Sequence, residues 1–164
     1  MTPYVRQAYN QIQTADYGAA EASLSEALRQ NSNDFVARRY LAYVLIQKKQ
    51  PKQALEQMQN LPGQSPFDLF LRGEAAGQLG QPKKAMELLA EAVRESPQND
   101  LFRAQAIEAA ITMSEYPRAS NLCADGARSS ADPSKRRFYE DQLKHTEELT
   151  SSIAKGRPCI HGSH

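Results

Sequence analysis

Residues 69–97 read LFLRGEAAGQLGQPKKAMELLAEAVRESP, and this stretch decides the fold. Its second half carries Pro82, Ala85, Leu89 and Ala92 at spacings of 3, 4 and 3, which is one face of an α-helix. Its first half carries Leu69, Gly73 and Ala76, a second helical stripe. Leu79-Gly80-Gln81-Pro82 divides the two. Proline suits the first turn of the following helix, where its missing N–H has no intrahelical partner to lose. Gly73 and Ala85 are small enough to let two helices approach closely, and Ser96-Pro97 ends the segment. The stretch predicts a helical hairpin.

The same rhythm recurs along the chain. It appears as Tyr17, Ala20, Leu24 and Ala27, as Pro51, Ala54, Met58 and Leu61, and as Tyr116, Ala119, Cys123 and Gly126. The four alanines Ala20, Ala54, Ala85 and Ala119 are separated by 34, 31 and 34 residues. Each copy follows a first helix, marked by Tyr4, Ala8 and Ile12, by Leu41, Ala42 and Leu45, or by Ala106 and Ala110. Asn31–Asp34, Pro62–Pro66 and Ser96–Asp100 are turn-and-cap sequences between units. No single hairpin buries its apolar face alone, so the units must stack into a solenoid. The expected units are about 1–34, 35–65, 66–99 and 100–133. Asp132-Pro133-Ser134 then opens a capping helix over 134–156, with Phe138, Gln142, Leu143, Thr146, Leu149 and Ile153 on one face, ended by Gly156 and Pro158. Residues 157–164 read as a flexible tail.

Composition narrows the function. The 164 residues carry 20 Lys+Arg against 19 Asp+Glu, a net charge of +1, which is not the basic field of a nucleic-acid binder. Hydrophobic residues at 40% and charged residues at 24% describe a globular chain. No apolar run approaches the roughly 18 residues that span a bilayer, and Met1-Thr2-Pro3-Tyr4 lacks the start of a secretory signal. The cytoplasm is the favoured location, with a periplasmic piece of a larger protein as the alternative. The basic clusters Arg38-Arg39, Lys48-Lys49-Lys52, Lys83-Lys84 and Lys135-Arg136-Arg137 are read as solvated surface.

The sequence resembles the tetratricopeptide repeat family. Gly73, Ala76, Gly80, Ala85, Leu89, Ala92 and Pro97 fall in the family's order, as do Tyr4, Ala8, Tyr17, Ala20, Leu24 and Ala27. The chain departs from the family in having no Trp, in Arg72 on a normally apolar position, and in a second unit three residues short. The resemblance implies an all-α, right-handed α-solenoid of about four hairpins whose first helices line a concave groove for a partner peptide or helix. The residues projected there are Val5, Tyr9 and Ile12, then Arg39, Tyr43 and Gln47, then Phe70, Glu74 and Gln78, and Glu108 with Thr112. Tyr and Arg are frequent carriers of binding energy. Val5 and Tyr9 stand where carboxylate-clamping members of the family carry Lys and Asn, so an apolar or amphipathic segment fits this groove better than a chain terminus.

Catalytic patterns yield no candidate: no phosphate-cradling glycine loop, nucleophile elbow or zinc-protease helix is present. The reading is therefore a non-enzymatic protein-interaction scaffold without a cofactor, alone or within a larger chain or complex. Two alternatives stand beside it: a secretion-type chaperone, and a metal- or redox-responsive protein. The latter would use Cys159, His161 and His164, whose side chains are suitable zinc ligands. Cys123 replaces an apolar residue of the other units and is expected as a buried free thiol. His145 is expected on the exposed side of the capping helix.

Overall fold

The computed structural model describes residues 2–59, 61–62 and 64–155. These residues form nine α-helices: α1 (Pro3–Gln13), α2 (Tyr17–Gln30), α3 (Phe35–Gln47), α4 (Pro51–Gln59), α5 (Pro66–Gln78), α6 (Pro82–Glu95), α7 (Asp100–Thr112), α8 (Tyr116–Ser129) and α9 (Pro133–Ala154). Two compact units divide the chain at Leu88–Leu89, inside α6.

Local chemistry sets the helix ends. Thr2, Asp16, Asp34, Ser65, Asn99 and Asp132 each accept a backbone N–H of the first turn, satisfying a donor the helix cannot. Ser65 and Asp68 form a reciprocal capping box at the start of α5. At the other end, the turns inside the hairpins share one geometry. Ala15, Lys49, Gly80 and Ser114 all take positive φ, between 57° and 71°. The following amide returns to a helical carbonyl five residues back: Asp16 to Gln11, Gln50 to Leu45, Gln81 to Ala76 and Glu115 to Ala110. This is the Schellman closure that satisfies the last carbonyls of a helix. Of these four turns, the one at Gly80 places a glycine at the left-handed position.

In unit 1, α1 packs on α2, α2 on α3, α3 on α4, and α4 on α5, while α1 also touches α3 and α3 touches α5. Ala20 and Ala54 are fully buried and Ala85 nearly so. A Cβ on Gly77 would stand 3.8 Å from the Ala85 methyl, which shows how closely α5 and α6 approach. α4 is described over nine residues, against fourteen in α2. Arg72, at an ordinarily apolar place, donates to the Met58 carbonyl at 3.2 Å and so serves the C-terminal end of α4.

Unit 2 holds the end of α6 with α7, α8 and α9, and α9 lies along α8. A Cβ on Gly126 would meet the Tyr139 ring at 2.7–2.8 Å, so this glycine is the notch that admits the ring. Tyr139 then donates to Asp100 Oδ1 at 2.9 Å. Thr146 and Ser120 are hydrogen-bonded at 2.8 Å. The face of α9 differs from expectation. Tyr139 is its buried aromatic and Phe138 is 50% exposed, because the Gly126 notch and the Asp100 acceptor select the residue one position along. Ile153 is also exposed. Cys123 is a buried free thiol, and burial pushes its pKa up to about 11. Gly156 and Pro158 lie outside the described residues.

Three arginines repeat one contact. Arg38, Arg103 and Arg136 each donate to the carbonyl six residues back, on Ser32 (2.5 Å), Pro97 and Ser130 (3.1 Å) respectively. Arg38 also reaches the Gln57 carbonyl oxygen of its side chain, and Arg103 the Leu122 main-chain carbonyl, each 19 residues on. These arginines fasten the linkers between hairpins. The clusters read as solvated surface therefore contain structural members.

Candidate partner-binding surface

The first helices of unit 1 carry most of the expected binding residues, and neighbouring helices sort them. Val5 is 1% and Phe70 3% exposed, so both are core residues and not the surface side chains expected from the sequence. Consecutive first helices touch, α1 to α3 and α3 to α5, beside the contacts of α1 with α2 and of α5 with α4. Phe70 stacks on Phe67 with ring centroids 5.9 Å apart, and Phe67 meets Tyr43 at 6.4 Å. Tyr43 is partly buried. Burial, then Tyr17 and Glu74 nearby, push its hydroxyl above the usual tyrosine range.

Tyr9 is 42% exposed and packs edge-on against Tyr40 at 6.1 Å. Ile12, Gln47 and Glu74 are partly exposed. Gln78 donates to the Ile46 carbonyl at 3.0 Å, tying α5 to α3. Glu108 is exposed on α7, in unit 2, and accepts the Thr112 hydroxyl at its main-chain carbonyl.

Arg39 has an internal partner. Its Nε and Nη2 donate to the two carboxylate oxygens of Asp68 at 2.8 and 3.0 Å, with the arginine side chain 26% exposed and the aspartate 1%. Burial raises the Asp68 pKa, but the guanidinium and the Ser65 donors outweigh it and hold the carboxyl below its ordinary value. The same hydrogen bond raises Arg39. The pair joins α3 to α5, 29 residues apart. No local signal relates two positions so far apart, and sequence reasoning missed Asp68.

Sequence reasoning also missed an apolar cleft of about 340 Å³ lined by Val36, Arg39, Tyr40 and Phe67. Phe35 and Val36, at the start of α3, are exposed beside it. Val36, Tyr40, Tyr43 and Gln47 fall at i, i+4, i+7 and i+11, a helical stripe separate from the core set Ala37, Leu41 and Leu45. That stripe was the available signal.

Cys159, His161 and His164 lie outside the described residues. Among the described residues no group of three metal-ligating side chains occurs, and no helix is long and apolar enough to cross a membrane. His145 is exposed, as expected.

Helical hairpins with small residues at the contacts and a polar turn at each tip place the chain in the all-α solenoid class, whose general role is a protein-interaction scaffold. Two models of the tetratricopeptide repeat match residues 11–70 and 69–99, together more than half of the chain, which belongs to the tetratricopeptide repeat family. Among solved structures, a MamA fragment from Desulfovibrio magneticus RS-1 is similar over 92% of this chain and 75% of its own, at 18% identity and a TM-score of 0.60. A second MamA structure is similar over 97% and 96%, at 14% identity and a TM-score of 0.59. A tetratricopeptide repeat protein from Parabacteroides merdae ATCC 43184 is similar over 92% of this chain and 66% of its own, at 17% identity and a TM-score of 0.63. At these identities the likeness is one of fold. No curated protein matches the chain in sequence.

Proposed function

We propose that unit 1 holds an apolar or amphipathic segment of a partner protein on the first-helix surface of α1, α3 and α5. One observation carries the reading: Tyr9, Phe35 and Val36 are exposed together with the cleft formed by Val36, Arg39, Tyr40 and Phe67. Burying exposed aromatic and aliphatic surface favours association, and aromatic anchors often dominate it. Arg39, neutralised by Asp68, serves here as a wall that positions Tyr40 and Phe67. The outer guanidinium edge suits a partner carbonyl better than a carboxylate, because Asp68 already cancels the charge. On this reading the repeats run about 1–34, 35–65, 66–99 and 100–133, α9 caps the last, and nucleic acid is not a partner.

A photo-crosslinking residue placed at Tyr40 in the native host should capture a protein, whereas one at the exposed α4 position Gln53 should not. Tyr40→Ala should then weaken binding of the captured segment by about 1–4 kcal/mol. Equal capture from both positions, or capture from Gln53 alone, would reject this surface.

A further inference from the structure

Unit 2 contains a second cleft, of about 550 Å³, between the end of α6, α7 and α8. Its walls combine the apolar side chains of Val93 and Leu122 with three arginines, Arg94, Arg103 and Arg128, and one carboxylate, Asp125. The arginines differ in how they are held. Arg103 is 3% exposed and its donors go to the carbonyls of Pro97 and Leu122, with its guanidinium 5.8 Å from the Tyr139 ring centroid. Its direct partners are thus neutral carbonyls and a ring face, and its charge also acts on Asp100, whose carboxyl is held below the ordinary range chiefly by Lys135 and in part by Arg103. Arg94 and Arg128 are mostly exposed, and among the described residues their ion pairs lie within their own helices, with Glu91 at 3.5 Å and with Asp125. Exposed pairs three residues apart contribute little and give way readily to a better acceptor.

We infer that this cleft is a binding site for a partner segment that alternates carboxylate and aliphatic side chains. A carboxylate entering between Arg94 and Arg128 replaces weak intrahelical contacts with charge-assisted bonds. Its aliphatic neighbours cover Val93 and Leu122. The cleft has no aromatic platform for stacking bases, and the chain's net charge is only +1, so a nucleic acid suits it less well. The site is independent of the first-helix surface of unit 1, and its test leaves that surface as a control.

A fluorescent peptide of alternating Asp and Leu, titrated with the full chain and read by anisotropy, should bind saturably. The same peptide with Lys for Asp should not bind, and polyglutamate of equal length should bind more weakly. R94E/R128E should weaken the Asp–Leu peptide by at least about tenfold with the melting midpoint unchanged, while Tyr40→Ala should leave its affinity as it was. Should the double reversal lower the melting midpoint, R94Q/R128Q replaces it, with weakened binding again expected. Absence of binding, equal binding of the Lys peptide or polyglutamate, unchanged affinity in the folded arginine variant, or a loss confined to Tyr40→Ala would each overturn the assignment.

Discussion

The seam between α3 and α5 in unit 1 and the seam that α9 makes with α7 and α8 in unit 2 are held by different chemistry. In unit 1 a buried carboxylate, Asp68, is matched by the two-pronged guanidinium of Arg39. In unit 2 a tyrosine ring fills a glycine notch on α8, and its hydroxyl reaches Asp100, which Lys135 also holds. The first seam depends on charge; the second depends mainly on shape, with a hydrogen bond at its tip. A buried ion pair is sensitive to loss of either partner, because the survivor is left charged in a poor solvent. A packed ring is sensitive to volume.

The largest expected effect follows from that contrast. Arg39→Ala leaves Asp68 without its cation and should cost about 3 kcal/mol, with faster hydrogen exchange in α3 and α5. Ordinary exchange protection in this variant would mean that the ion pair is dispensable and the seam rests on Phe67, Phe70 and Gln78. In unit 2, Gly126→Ala should cost about 2 kcal/mol, since its methyl would overlap a ring wedged between two helices. Combining it with Tyr139→Leu should cost less than the sum of the two single changes. Additivity would separate the glycine from the ring.

Acid should distinguish the seams further. Asp68 is held below its ordinary pKa, so its pairing with Arg39 contributes fully above the unfolded-state value and is lost as pH falls through the lower folded-state value. Asp68→Asn should therefore be less stable than the parent near neutrality, and the gap should close toward pH 3 in denaturant titrations followed by exchange in α3 and α5. The Lys135 bond, the largest cause, lowers Asp100 likewise, but the Tyr139 ring keeps its place in the notch when that carboxylate is protonated. A constant gap across pH would assign the cost of Asp68→Asn to packing.

A smaller effect compares the hairpin turns. Lys49 and Gly80 occupy the same left-handed position, at φ 61° and 71°. Lys49→Gly should stabilise by about 0.5–1 kcal/mol, and Gly80→Ala should destabilise by about the same amount, as read from melting midpoints. Replacing the exposed Lys84 with Ala should change little. Matching losses from Lys49→Gly and Gly80→Ala would show that the Lys49 turn is held by something besides its φ.

Helix number, the burial of the repeated alanines and the position of each hairpin turn were legible for the described residues. Each rests on local rules: which side chains cap a helix, where proline and glycine are tolerated, and which residues share a face. The candidate surface was legible only in outline. Tyr9 is exposed and Tyr43 partly so, but Val5 and Phe70 are in the core, Arg39 is engaged by Asp68, and Tyr40 and Phe67 were overlooked. Helical periodicity names the residues of one face without saying which neighbour covers them. Packing against neighbouring helices covers Val5 and Phe70 and leaves Tyr9 and Val36 open. The choice of Tyr139 over Phe138 was likewise made by a glycine thirteen residues earlier and an aspartate thirty-nine residues earlier. Capping and turn formation depend on atoms a few residues apart, and so are written in order along the chain. Exposure and ion pairing depend on groups that only packing brings together, and there the tertiary structure decided.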